Sequence, residues 1–305
     1  MKLEKELPPK MPELKWEGQN IPFKIMEFII QAGIQAPSAD NTQPWQFSIY
    51  DNRITLRINP KSDTSFFNIQ QRTALLSCGA VMENIKIAAS AFGLSCIIQL
   101  NTKEIEPSYE VAQIYLINNK VKCDNLFHSI WERCTNRNQY SRKKLDPHVF
   151  EELKKISQEF IGVNLHSIED KIKLKMLKSA HVKIGIVRTE NPLIHQFLNN
   201  HIRNSFKIAQ KFKTGFALNN LRVGYLGNIV IKLTKNWTLM SFLNKFGFAK
   251  IVSSKVEQGI DNCGACILIT VPDNSAISYI KGGQVLERIW LKLSALGVAA
   301  QPMTT

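Results

Sequence analysis

Two short strings in this 305-residue chain gather polar and cationic residues at spacings suited to hydrogen bonding and to anion binding. The first, Ala36–Trp45, reads APSADNTQPW. Pro37 and Pro44 lack an amide N–H and each stops a helix, so the segment must leave the preceding apolar helix pattern as a turn. Ser38, Asp40, Asn41, Thr42 and Gln43 crowd short donors and acceptors into that turn. The second, Trp131–Tyr140, reads WERCTNRNQY. In an extended conformation its alternating Arg133, Thr135 and Arg137 face one side together. Two planar guanidinium forks and a hydroxyl there form a cradle for phosphate oxygens. The same string would also serve as a solvated helix end with surface arginines.

The elements that must position these strings follow from periodicity and punctuation. The pattern predicts a helix over 23–35, a hairpin with strands 45–50 and 54–58, a helix over 68–92, and strands at 94–100 and 110–117. It continues with helices at 125–133 and 146–160, a strand near 163–166, a helix at 169–180 and a strand at 182–188. A last strand at 265–271 precedes a helix at 276–296. This mixture of helices and hairpins predicts an α+β fold with helices around a central sheet.

Gly79–Leu94 and Gly283–Val298 align without gaps, with seven of sixteen positions identical, including Glu83/Glu287 and both boundary glycines. A C-capping glycine followed by an extended apolar stretch closes both copies. The chain therefore reads as two related halves, 1–122 and 123–305.

Net charge is +14, and its distribution is uneven. The window 191–256 holds ten cations and no acid, leaving +4 for the rest of the chain. Such a break marks an insertion with its own task. Within it Phe197, Leu198, Ile202, Phe206, Ala209 and Phe212 fall at helical spacing, predicting one amphipathic helix with a basic opposite face. It reads as a helical cap or lid, with weak contact to a membrane surface as a further use. No aromatic-interleaved nucleic-acid motif is present, so nucleic acid is not expected as a partner.

Six cysteines without a secretory leader read as reduced thiols, and the charged, proline-bearing start carries no apolar signal core. With no apolar run long enough to cross a bilayer, the expectation is a cytoplasmic protein. Cys263-Gly-Ala-Cys266 has redox spacing but runs into an apolar strand pattern, which leaves a buried strand start and a redox pair as its two readings. The six histidines show no paired-ligand spacing, and no metal is expected. GxGxxG, GxxxxGK[ST] and GxSxG are absent.

APSADNTQPW resembles the APSxxNxQPW motif of the flavin-dependent nitroreductase family, and WERCTNRNQY is similar to that family's R-x-S/T-x-R/K-x-x-Y/F signature. The resemblance implies an FMN-binding nitroreductase-like fold. In the family the two signatures come from different subunits of a homodimer. Here each half keeps one, as in the Acg-like branch, where a fused pseudo-dimer holds a single FMN. The implied cofactor contacts are Pro37, Ser38, Ala39 and Asn41 at the ring, and Arg133, Thr135 and Arg137 at the phosphate. GGQVLERIWLKLSALGVAAQPM (282–303) and KMLKSAHVKIGIV (175–187) resemble later family segments and add Pro302, Met303, Thr304 and Lys175. Family members continue past the QPM loop with a basic segment completing the phosphate site, so a tail beyond Thr305 is a question the sequence poses. The implied activity is reduction of a small planar acceptor, a nitroaromatic or quinone, by ping-pong hydride transfer from NAD(P)H through FMN. The alternative is an FMN storage or sensing protein without turnover. No side chain is implied as a general acid. The expected state is a monomer acting as a pseudo-dimer.

Overall fold

The computed structural model describes residues 8–13, 16, 18–101 and 105–303; within them the side chains of 255–258 are not described. Helix α1 (Phe23–Gly33) starts behind Pro22 and buries Ile25, Met26, Phe28, Ile29 and Ala32 on one face. The hairpin β1 (Trp45–Tyr50) and β2 (Arg53–Ile58) follows, then α2 (Arg72–Ser90), β3 (Leu94–Leu100) and β4 (Glu110–Asn118). These strands form one antiparallel sheet of order β1-β2-β4-β3. Its apolar face packs with α1 and α2 into the larger core, around Ile54, Leu56, Ile114, Met82 and Ile85.

The chain then runs through α3 (Ser129–Glu132), α4 (Pro147–Gln158), β5 (Asn164–Ile168) and α5 (Lys171–Glu190). Asp146 and Asp170 cap α4 and α5, accepting from the amides of His148 and Lys173, which satisfies donors that a helix start leaves unpaired. The 191–256 region comprises α6 (Pro192–His201), β6 (Ile202–Arg203), α7 (Phe206–Phe212), β7 (Phe216–Ala217), α8 (Gly224–Thr234) and α9 (Trp237–Asn244), and it runs into α10 (Phe248–Asn262). The chain closes with β8 (Cys266–Thr270), antiparallel to β5, and α11 (Ala276–Ala295). A smaller core of Leu153, Ile156, Leu165, Val285 and Ile289 joins α4, β5 and α11.

Helices α2 and α11 cross at closest range. A Cβ on Gly79 would strike the Ile280 carbonyl, and a Cβ on Gly283 would strike that of Leu76. Beside the crossing, fully buried Glu83 accepts from Arg288 Nη1 at 2.7 Å, and Arg288 Nη2 donates to Asp124 at 2.8 Å. Gly93 and Gly297, closing the two similar helices, have φ of +72° and +68°, the left-handed region glycine adopts at low cost.

The α+β expectation holds, with three differences. The strand expected at 182–188 is the second half of α5, whose Gly185 backbone packs tightly on Ser253 of α10. Helix packing against α10 overrides the alternating pattern of VKIGIVR. Without that strand there is no single central sheet: among the described residues β5–β8 and β6–β7 are separate two-stranded pairs. The continuous helix expected over 197–212 is broken, because Ile202 and Arg203 leave it to pair in parallel with Phe216 and Ala217. The helix expected over 125–133 is likewise shorter, confined to α3 after a run of turns.

Candidate functional site

The APSADNTQPW string forms a tight loop between α1 and β1. Asp40, Asn41 and Gln43 take φ of 46°, 54° and 49°, left-handed backbone that Asn and Asp tolerate better than most residues. Ser38 braces the turn: its Oγ accepts from the Gln43 amide at 3.1 Å and its carbonyl from the Asn41 amide at 3.1 Å. Thr42 Oγ1 is buried with no hydrogen-bond partner among the described residues. Pro37 and Ala39 are half-buried beside it.

Asn41 reaches across to the basic region. Its Nδ2 donates to the Gly215 carbonyl at 2.7 Å, and the Gly215 amide donates back to the Asn41 carbonyl at 3.0 Å. On the adjoining Phe216 ring lies the Arg137 guanidinium, 5.3 Å from the centroid. The loop and the arginine signature, almost a hundred residues apart in sequence, thus meet on Gly215–Phe216. Arg137 makes no hydrogen bond or ion pair among the described residues, and burial lowers its pKa while Asp40 raises it. Burial also pushes the Asp40 carboxyl above the usual carboxylate range. Arg188, His201 and Arg137 pull it back and Asp63 adds to the push. Arg188, on α5, lies over the Phe67 ring at 4.8 Å, and burial lowers its pKa too.

Arg133 points elsewhere. Its Nη2 donates to the Gln35 carbonyl at 2.8 Å, its Nε lies 3.3 Å from Glu287 Oε1, and the guanidinium covers the Trp290 ring at 4.4 Å. It therefore pins the end of α1, just before the loop, to α11. Thr135 forms a parallel bridge with Ala300, and the Asn136 amide donates to the Ala300 carbonyl at 2.9 Å. That bridge brings the signature beside half-buried Pro302 and exposed Met303. Thr304 lies outside the described residues. Lys175 is exposed on α5, roughly 20 Å from Arg188 by helical rise, and takes no part in these contacts.

Sequence reasoning missed Arg188, His201, Gly215 and Phe216. The local pattern around Arg188 predicts a strand, and nothing in it links these residues to a loop some 150 or more positions earlier. The one readable signal was Asp40, a carboxylate inside a string otherwise suited to an anionic ligand.

No family model matches the chain. Over 93% of its length it is 19% identical to Uncharacterized protein MT1398 of Mycobacterium tuberculosis (strain CDC 1551 / Oshkosh), of which it spans 39%. Over 75 residues, 25% of this chain and 23% of the other, it is 28% identical to the Mycobacterium tuberculosis protein described as Putative NAD(P)H nitroreductase acg, in strains CDC 1551 / Oshkosh and ATCC 25618 / H37Rv. The likeness to a nitroreductase is thus partial, and the chain covers well under two thirds of each relative. Among the described residues no helix is long and apolar enough to cross a membrane.

Proposed function

We propose that this chain is an FMN-dependent oxidoreductase of nitroreductase-like fold, reducing a small planar acceptor of nitroaromatic or quinone type at the expense of NAD(P)H. The observation that carries the reading is the convergence of Asn41 and Arg137 on Gly215–Phe216. It is supported by the partial likeness to the protein described as Putative NAD(P)H nitroreductase acg. The reciprocal close approach of Gly79 and Gly283 supports a fused arrangement of two halves, 1–122 and 123–305, around one site.

The residues fit the cofactor on two counts. A desolvated arginine with no ion pair suits a phosphate, and a buried hydroxyl without a partner suits a polar ring edge. FMN would supply a centre that accepts and returns hydride. Pro37, Ser38, Ala39 and Asn41 would hold the ring. Arg137, aided by Arg188, would hold the phosphate. Pro302 and Met303 would add to the ring site, steadied by the Thr135–Ala300 bridge. Arg133 would act as a positioning residue, since its guanidinium already bonds the Gln35 carbonyl and pairs ionically with Glu287.

A second reading, FMN storage or sensing, is favoured by the paired bonds of Asn41 with Gly215, which hold part of the basic region over the loop. The deciding experiment is purification with flavin absorbance, followed by anaerobic mixing with NADH or NADPH. Bleaching on a turnover timescale supports the enzyme, and persistent oxidised flavin supports storage. Arg137→Ala should lose flavin while its circular dichroism is unchanged; full retention of flavin would refute the phosphate assignment.

A further inference from the structure

Helix α8 is built inside out. Tyr225, Leu226, Ile229, Val230 and Leu233 are exposed by 81, 76, 39, 39 and 58%. At about 100° per residue they form one stripe roughly 140° wide. Gly227, Asn228, Ile231 and Thr234 turn inward. Leu239 and Phe242 on α9 and Phe246 in the turn that follows it are exposed as well, the two phenylalanine rings packed 5.2 Å apart, and α10 adds Ile251. Monomeric soluble proteins rarely leave so dense an apolar patch bare.

Charge identifies the occupant. Exposed Lys232, Lys245 and Lys250 flank the patch, and no Asp or Glu occurs anywhere in 191–256. A second copy seated on the same face would oppose cation to cation. Large aliphatic and aromatic side chains with a lysine border and no acid match a helix that lies in a lipid interface. At about 16 Å α8 is far too short to span the roughly 30 Å core of a bilayer.

We propose that α8 and α9 seat the protein on an anionic phospholipid surface, with the apolar stripe entering the acyl boundary and the lysines meeting phosphate headgroups. The proposal is independent of whether flavin binds. It does place membrane contact on the same region whose Gly215 is clamped by Asn41.

The test is co-sedimentation of the full chain with phosphatidylcholine vesicles, with and without phosphatidylglycerol. Binding is expected only with phosphatidylglycerol and should weaken as salt rises. The double variant Leu226→Ser/Phe246→Ser, at sites exposed by 76 and 72%, should keep its circular dichroism and lose binding about tenfold or more. Lys232→Gln should weaken binding by about fivefold. Failure to bind phosphatidylglycerol vesicles overturns the proposal, as does binding that the double variant leaves intact. So does a concentration-dependent dimer, or capture of an acidic protein, that the double variant abolishes in a chain that ignores vesicles.

Discussion

Gly79 and Gly283 exchange equivalent contacts: each faces a backbone carbonyl on the other's helix, and the two carbonyl owners, Ile280 and Leu76, stand at the same offset as the glycines themselves. Similar sequence at 79–94 and 283–298 thus becomes a near-symmetric helix crossing. Adding a methyl group at either position would force backbone apart. Gly79→Ala and Gly283→Ala should each cost about 1–3 kcal/mol, read from urea midpoints. Gly259→Ala, on α10 with open space around it, should be neutral or stabilise by up to about 1 kcal/mol. Equal tolerance at all three sites would contradict the crossing.

The same seam has a pH signature. Burial pushes the Glu287 carboxyl up to about 7, Arg133 and Asn84 pull it down, and Glu83 adds to the push. A raised carboxyl favours the folded state while protonated. Its contribution is fully present below the ordinary value near 4.5 and is lost as pH climbs through about 7, a swing on the order of 3 kcal/mol. Glu287→Gln should flatten that decline in a urea titration repeated across pH. An unchanged slope would show that Glu287 ionises as freely as in the unfolded chain.

Asp40 sits beside Arg137, Arg188 and His201 with its pKa raised, first by burial. While ionised it opposes an anionic ligand, and that opposition disappears as pH falls through the raised value. Asp40→Asn should bind FMN about tenfold more tightly than wild type above that value, the scale of one unit charge removed from a partly screened site. The difference between wild type and variant in a fluorescence titration should vanish in acid. A constant difference across pH would remove Asp40 from the site.

The thiols of Cys263 and Cys266 lie 3.5 Å apart. A hydrogen bond from Cys266 holds Cys263 down to about 7 against burial, while Cys266 is pushed up, chiefly by that same hydrogen bond. Burial alone pushes up Cys78, and burial leads the rise of Cys96 to about 12. Of these four thiols, Cys263 should be the first that iodoacetamide labels at about pH 8, and Cys266→Ala should slow that reaction. Peptide mass mapping that finds Cys78, Cys96, Cys263 and Cys266 labelled at one rate would sink the assignment.

Sequence legibility was highest where one face of an element is buried against a sheet or helix. Leu94–Leu100 and Trp45–Tyr50 stand at the bounds that their patterns predict, and α1, α2 and α11 deviate by a few residues at their ends. It was lowest in 182–212. There α5 keeps its helix through contact with α10, and Ile202–Arg203 pair with a strand visible only in three dimensions. The site divides in the same way. The loop and Arg137 announce themselves by residue type, but Arg133 turns inward to Glu287 and Arg188 enters from a helix read as a strand. Neither outcome is encoded within ten residues of the arginine concerned.

The embrace of α2 by α11 also bears on how the polypeptide is made. Most of α2 is buried, yet its closest neighbour, α11, is translated some two hundred codons later. A nascent chain must carry an unfinished apolar surface while those intervening residues are made, the slow regime of distant contacts. Emergence of α11 from the ribosome is then the event that closes the larger core, and stalled or truncated products would be natural clients for chaperones.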